Sequence, residues 1–162
     1  QINKVEGNID PRDQKSIQST STFRPASIDP TIIWEEIAKN TERACENARE
    51  IHLTSNKVSF FVKTSEFKYC EDGVKLPLYT ADPGVILNAI ESKLLRLLTK
   101  KERIRSTGVI LHNLVREENV PRDLFGTQDK ALQNLAIEEV ADKIRKKYGD
   151  SAIKRVASLK RK

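Results

Sequence analysis

The residues with chemistry to offer are cations set at the entrances of β-prone segments. Lys100, Lys101, Arg103 and Arg105 run into Ser106-Thr107-Gly108 and then the apolar Val109-Ile110-Leu111. A strand that opens with cations, hydroxyls and a residue without a side chain can bring its backbone close to a phosphate chain. Phosphate binding by a sheet is the chemistry these residue types support. Covalent chemistry has no comparable support. Phosphoryl transfer by metal ions needs carboxylates that gather two cations, whereas Glu35-Glu36 and Glu138-Glu139 read as solvated helix surface. The six glycines are not clustered into a phosphate loop, and Cys45, Cys70, His52 and His112 have neither C-x-x-C spacing nor the count for a zinc quartet. The chain is therefore expected to catalyse nothing by itself and to hold no cofactor.

The elements that must position these cations follow from periodicity. Residues 16–23 alternate Ser and Thr with few apolar groups, which predicts a polar, partly exposed strand. Asp29-Pro30 is a helix start, and Ile33, Ile37, Ala44, Ala48 and Ile51 then form one apolar stripe with Trp34 and Cys45 beside it, to about His52. From 57 to 67 the period becomes two, with Val58, Phe60 and Val62 against Ser59, Phe61 and Lys63. Glu71-Asp72-Gly73 is the predicted hairpin turn and 74–79 the third strand. Asp82-Pro83 caps a second helix, which carries Val85, Ile86, Ala89, Ile90, Leu94 and Leu97 toward the core; residues 105–115 make the fourth strand. There, strict alternation separates Ser106, Gly108, Ile110 and His112 from Arg105, Thr107, Val109 and Leu111. The fold class is α+β: a split β-α-β-β-α-β antiparallel four-stranded sheet with two helices on one face. A C-terminal helical extension follows at about 129–148, with Leu132, Ala136, Val140, Ile144 and Tyr148 four apart.

Charge is segregated among these elements. Of 29 Lys and Arg, nine lie in 143–162 against one acid, leaving 20 basic and 22 acidic side chains in 1–142. Within 15–24, 57–68, 73–79 and 100–116 the count is 11 basic against 2 acidic, while 29–52 has three against six. With helices on one face, the open face of the sheet is then cationic, the footprint of a nucleic-acid platform. No apolar run reaches membrane-spanning length, and a reducing, cytoplasmic setting and a monomer fit the cysteine usage and size. The sequence begins with Gln and contains no Met. It is therefore read as a fragment of a longer protein.

Four stretches stand in order and register: Lys15-Ser16-Ile17 with Thr22-Phe23, residues 58–67, residues 103–114, and Asp123-Leu124-Phe125-Gly126. Through them the chain resembles the C-terminal little finger domain of Y-family translesion DNA polymerases, of the bacterial DNA polymerase IV and UmuC-like kind. The resemblance implies that 1–14 is a linker from a missing catalytic core, 15–118 the DNA-binding domain, and 119–162 a clamp-binding loop, helix and basic tail. It implies a fragment without enzymatic activity, from a DNA-directed polymerase whose Mg2+ is expected in the missing core. The partner it implies is double-stranded primer–template DNA, held during lesion bypass through phosphate contacts from Lys15, Ser16, Ile17, Lys63, Thr64, Arg103, Arg105, Ser106, Thr107 and Gly108. Several members of the family carry arginines where Ser106 and Ile110 stand here, which predicts a weaker or shifted grip. Asp123, Leu124 and Phe125 fall where many bacterial members carry the sliding-clamp motif Gln-Leu-Asp-Leu-Phe, but Pro121 and Arg122 occupy its first two positions. The alternatives are a ferredoxin-like RNA-binding domain, which stacks bases on aromatics of its central strands, and a small ferredoxin-like phosphatase, for which no phosphate loop is evident.

Overall fold

The first two α-helices begin at an Asp-Pro pair, where the carboxylate caps a free amide and the proline occupies a position that has no partner to lose. The computed structural model describes residues 10–121 and 127–148. The strands are β1 (Ile17–Ser27), β2 (Leu53–Thr64), β3 (Tyr69–Thr80), β4 (Ile104–His112) and the short β5 (Val115–Arg116); the helices are α1 (Pro30–Glu50), α2 (Pro83–Leu98) and α3 (Thr127–Tyr148). Asp29 accepts the Thr31 amide at 2.9 Å, and Asp82 accepts that of Gly84 at 2.9 Å. The sheet order is β1-β4-β2-β3 with antiparallel pairings throughout, and β5 pairs with the start of β2. Helix α1 packs over β1 and β4, and α2 over β3, side by side on one face.

The core lies between these layers. Val58, Phe60 and Val62 of β2 and Val109 and Leu111 of β4 are buried with Ile33, Ile37, Ala44 and Ala48 of α1 and Ile86, Leu87, Ile90 and Leu94 of α2. Each large side chain buried this way contributes about 1.5–3 kcal/mol. Val85, assigned inward by periodicity, is exposed. The polar character of β1 has a structural reason: its inward Ser19 donates to Asn40 Oδ1 at 2.9 Å, and Asn40 Nδ2 donates to Ser21 at 3.0 Å. The buried Asn40 amide is thus matched to a hydroxyl-rich strand, as a buried polar group requires.

The hairpin turns at residues 65–68, not at Glu71-Asp72-Gly73. Ser59 pairs with Gly73 and Phe61 with Glu71, so the Asp-Gly signal lies mid-strand. The Thr64 amide donates to the Lys68 carbonyl at 2.9 Å and the Lys68 amide to Thr64 Oγ1 at 3.0 Å, closing the loop earlier than propensity suggests. Gly73 serves close approach instead, since a Cβ there would stand 3.1 Å from the Val58 carbonyl oxygen.

Helix α3 docks through polar groups rather than through the predicted apolar row. Arg49 is buried and donates from Nε and Nη2 to both oxygens of Asp142 at 2.6 and 2.7 Å, and from Nη1 to the Ala81 carbonyl at 2.7 Å. Burial opposes the Asp142 charge, but the hydrogen bonds and charges of Arg49 and Arg145 hold its carboxyl below the ordinary range. Leu135 is buried, whereas Ala136, Val140 and Ile144 of the predicted row are exposed. A four-residue spacing drifts around a 3.6-residue helix, and the ion pair selects a different face.

Candidate nucleic-acid interface

The second face of the sheet carries no helix among the described residues, and the register says what it presents. Since Val58, Phe60 and Val62 face the core, Lys57, Ser59, Phe61 and Lys63 face outward. Their cross-strand partners are His112, Ile110, Gly108 and Ser106 on β4, and Lys75, Gly73, Glu71 and Tyr69 on β3. Thr20 and Thr22 of β1 pair with Gly108 and Ser106, completing a surface of cations, hydroxyls and rings.

Arg105 joins this surface through a break in β4. Lys63 pairs with Ser106 and Thr64 with Ile104, so Arg105 is an extra residue in β4. Such a bulge reverses the alternation: Ile104 enters the core, and Arg105 lies with its Cζ 4.8 Å from the centre of the Phe67 ring. Lys63 Nζ is 5.4 Å from the same ring. Alternation alone points Arg105 inward; the bulge is the physical reason it does not go there.

Gly108 has a different task from close approach to phosphate. A Cβ on it would stand 2.5 and 2.7 Å from Phe61 ring carbons and 2.7 Å from Thr20 Cγ2, so the Phe61 ring occupies the space a side chain would take. The same ring stacks on Tyr69, with centroids 5.0 Å apart. Phe61 is consequently only 8% exposed although it faces outward. Ser59 Oγ and His112 Nε2 are hydrogen bonded at 2.8 Å, and burial, with Lys57 nearby, holds the His112 imidazole below its ordinary value.

The predicted contact residues divide in two. Lys15, Ser16 and Arg103 are exposed, and Lys63 and Arg105 are half-buried with their charged ends beside Phe67. The side chains of the others are committed elsewhere. Ile17 is in the core, Thr64 Oγ1 accepts from Lys68, and the buried Thr107 donates to the Phe61 carbonyl at 2.6 Å. Ser106 is on the open face but largely covered. Sequence reasoning missed Lys57, Lys75, Phe67 and Tyr69 as members of the face; the first follows from carrying the period of two back from Lys63, the others only from the true position of the turn. Asp123, Leu124 and Phe125 lie outside the described residues.

One further cluster sits where α3 meets the body. His52 Nδ1 is 3.6 Å from both Glu117 Oε2 and Glu139 Oε2. Burial, then the neighbouring Glu139 carboxylate, pushes the Glu117 carboxyl above the usual range, against the pull of His52. No described helix is long and apolar enough to cross a membrane.

Comparison with known proteins gives a consistent result. A family model described as the impB/mucB/samB family C-terminal domain matches residues 14–124. DNA polymerase IV of Ureaplasma parvum serovar 3 is 31% identical over 117 residues, which are 72% of this chain and 32% of that protein. DNA polymerase IV of Clostridium acetobutylicum is 28% identical over 164 residues, covering 98% of this chain and 40% of that protein. The chain thus spans about a third of the length of the Ureaplasma parvum relatives. In structure, a DinB family error-prone DNA polymerase from Sulfolobus solfataricus matches with a TM-score of 0.54 at 16% identity, over 62% of this chain and 30% of that one. The little finger domain of PolIV, solved in complex with the β-clamp processivity factor, matches with a TM-score of 0.53 at 10% identity, over 67% of this chain and 96% of that one. At such identities the structural likeness speaks for the fold alone.

Proposed function

The chain belongs to the impB/mucB/samB C-terminal family, the little finger domain of Y-family DNA polymerase IV, and from that premise we propose that its open sheet face holds primer–template duplex by the phosphates during lesion bypass. The observation that carries the reading is the bulge that turns Arg105 out beside Lys63, so that two cations share the helix-free face with Thr20, Thr22 and Lys57. Contacts of cation and hydroxyl to phosphate fix position without reading sequence. That suits a polymerase copying damaged templates, whose nucleotide transfer and Mg2+ belong to a catalytic core outside these residues. The mechanism for this domain is therefore electrostatic: Lys15, Lys57, Lys63, Arg103 and Arg105 displace counterions from the duplex. Leu124 and Phe125 are proposed to dock on the sliding clamp, in keeping with the solved complex of the PolIV little finger with the β-clamp processivity factor.

The RNA-binding alternative depends on a free aromatic in the middle of the sheet. Phe61, placed there, lies against Gly108 on one side and Tyr69 on the other. It has no open face for a base. A titration of blunt duplex DNA and single-stranded RNA against the chain and its Lys63→Ala/Arg105→Ala variant tests the reading. Duplex binding weakened about tenfold or more in the variant, with an unchanged melt, is expected; preference for RNA, or duplex binding indifferent to both cations, overturns it.

A further inference from the structure

The open face carries more exposed ring surface at one end than phosphate binding uses. Phe67 is 63% exposed and Tyr69 54%, at the β2–β3 turn where β4 begins. The Phe67 backbone has φ 66°, a left-handed conformation that ring-bearing residues rarely adopt. Its amide donates to the Thr64 carbonyl at 2.9 Å, so the loop fixes this geometry and holds the ring outside the core. A backbone outlier that exposes a ring in place of burying it points to a task for that ring.

The surroundings identify the ligand class. Lys63 Nζ and Arg105 Cζ stand over the Phe67 ring, 5.4 and 4.8 Å from its centre, so cations lie within reach of whatever stacks on the part of the ring that stays exposed. Of the acids nearby, Glu102 is tied to Lys68 at 2.8 Å, Glu71 lies beyond Tyr69 on the same strand, and Glu66 is the only acid in the turn itself. An aromatic face bordered by cations suits a flat π-system joined to an anion. Among macromolecules that is an unpaired nucleotide, whose base stacks while its phosphate meets the cations. A base within a duplex is already stacked and offers no face.

We propose that Phe67 and Tyr69, flanked by Lys63 and Arg105, form a stacking site for an unpaired base of single-stranded DNA adjoining the duplex on the open face. The inference rests on the proposed DNA-binding role of that face and adds to it a distinct subsite. The site lies at the sheet end, so it takes one or two bases where strand separation begins, with Lys63 and Arg105 shared between the phosphate of that base and the adjoining duplex.

The test uses the 162-residue chain with a blunt DNA duplex and with the same duplex bearing a single-stranded extension that carries 2-aminopurine. The extension is expected to tighten binding about tenfold, in line with stacking on an aromatic, and to change the 2-aminopurine fluorescence. Phe67→Ala/Tyr69→Ala is expected to abolish that gain, so that extended and blunt duplexes bind the variant alike, while Phe67→Trp keeps the gain. An extension without effect in the parent chain, or equal losses on both DNAs in the double variant, overturns the subsite. Failure of the parent reading looks different. Absent blunt-duplex binding, with extension binding that depends on Phe67, supports the subsite against a duplex platform, and no binding to either DNA overturns both.

Discussion

Replacing Asp142 by Ala probes how α3 is attached. In the parent chain Arg49 is buried with every guanidinium nitrogen engaged, two of them on Asp142. If α3 stayed in place, the variant would strand a buried charge, at about 3–5 kcal/mol. The alternative is for α3 to lift away and admit water to Arg49. Among the described side chains of α3 the buried apolar one is Leu135, so this route forfeits about 1.5–3 kcal/mol of burial. The cheaper route wins. Asp142→Ala is therefore expected to cost about 2–3 kcal/mol, lowering the melting temperature by roughly 4–12 °C for a domain of this size, with amide protection lost across α3. Arg49→Met in the same background removes the stranded charge and is expected to recover most of the loss, as a double-mutant cycle would report. Because the Asp142 carboxyl is held below its ordinary value of 3.8, its contribution is present above that pH and is lost as pH falls through the lowered folded value. A melt within about 1 °C of the parent, together with unchanged amide protection in α3, would refute the reasoning.

Two other expectations rest on single contacts. Gly108→Ala forces a methyl into the Phe61 ring and is expected to cost about 1–3 kcal/mol by urea denaturation, but less when Phe61 is already Ala, where only the approach to Thr20 Cγ2 at 2.7 Å remains; equal costs in both backgrounds would count against the ring's placement. Glu117 has a raised carboxyl pKa, so its contribution is full below its ordinary value of 4.5 and is lost as pH rises through the folded value. Glu117→Gln is accordingly expected to raise the melting temperature at neutral pH, with the gain vanishing near pH 4; a gain independent of pH contradicts the repulsion from Glu139.

What sequence could disclose here is what local chemistry decides. Asp29-Pro30 and Asp82-Pro83 start helices through short-range hydrogen bonds, and the alternation around Phe60 assigns its strand to a half-buried sheet, so the order of elements and the helix-free face were legible. The features that overturned expectation are set by distant partners. The turn lies at 65–68 because Thr64 and Lys68 close it and the register with β2 carries Gly73 into the strand. Arg105 faces out because a bulge, defined only by pairing with β2, lets Ile104 fill the core. Gly108 suggested close approach, correctly as geometry, but the approaching group is Phe61 from the neighbouring strand. The face of α3 that docks was hidden because Asp142 finds Arg49 across 93 positions of sequence, a pairing no local period encodes.

The central claim is that this face grips duplex DNA through its phosphates, and the salt dependence of binding tests it most directly. Fluorescence anisotropy of a labelled blunt duplex, titrated from low to physiological salt, is expected to give a linear fall of log affinity on log salt. With about five phosphates neutralised the slope is about −4 to −5, at roughly −0.9 per phosphate. Lys63→Ala/Arg105→Ala should reduce it by about 2, and removal of residues 149–162 should leave that reduction intact. A slope near zero, or a slope that disappears with residues 149–162 and ignores Lys63 and Arg105, would contradict the account.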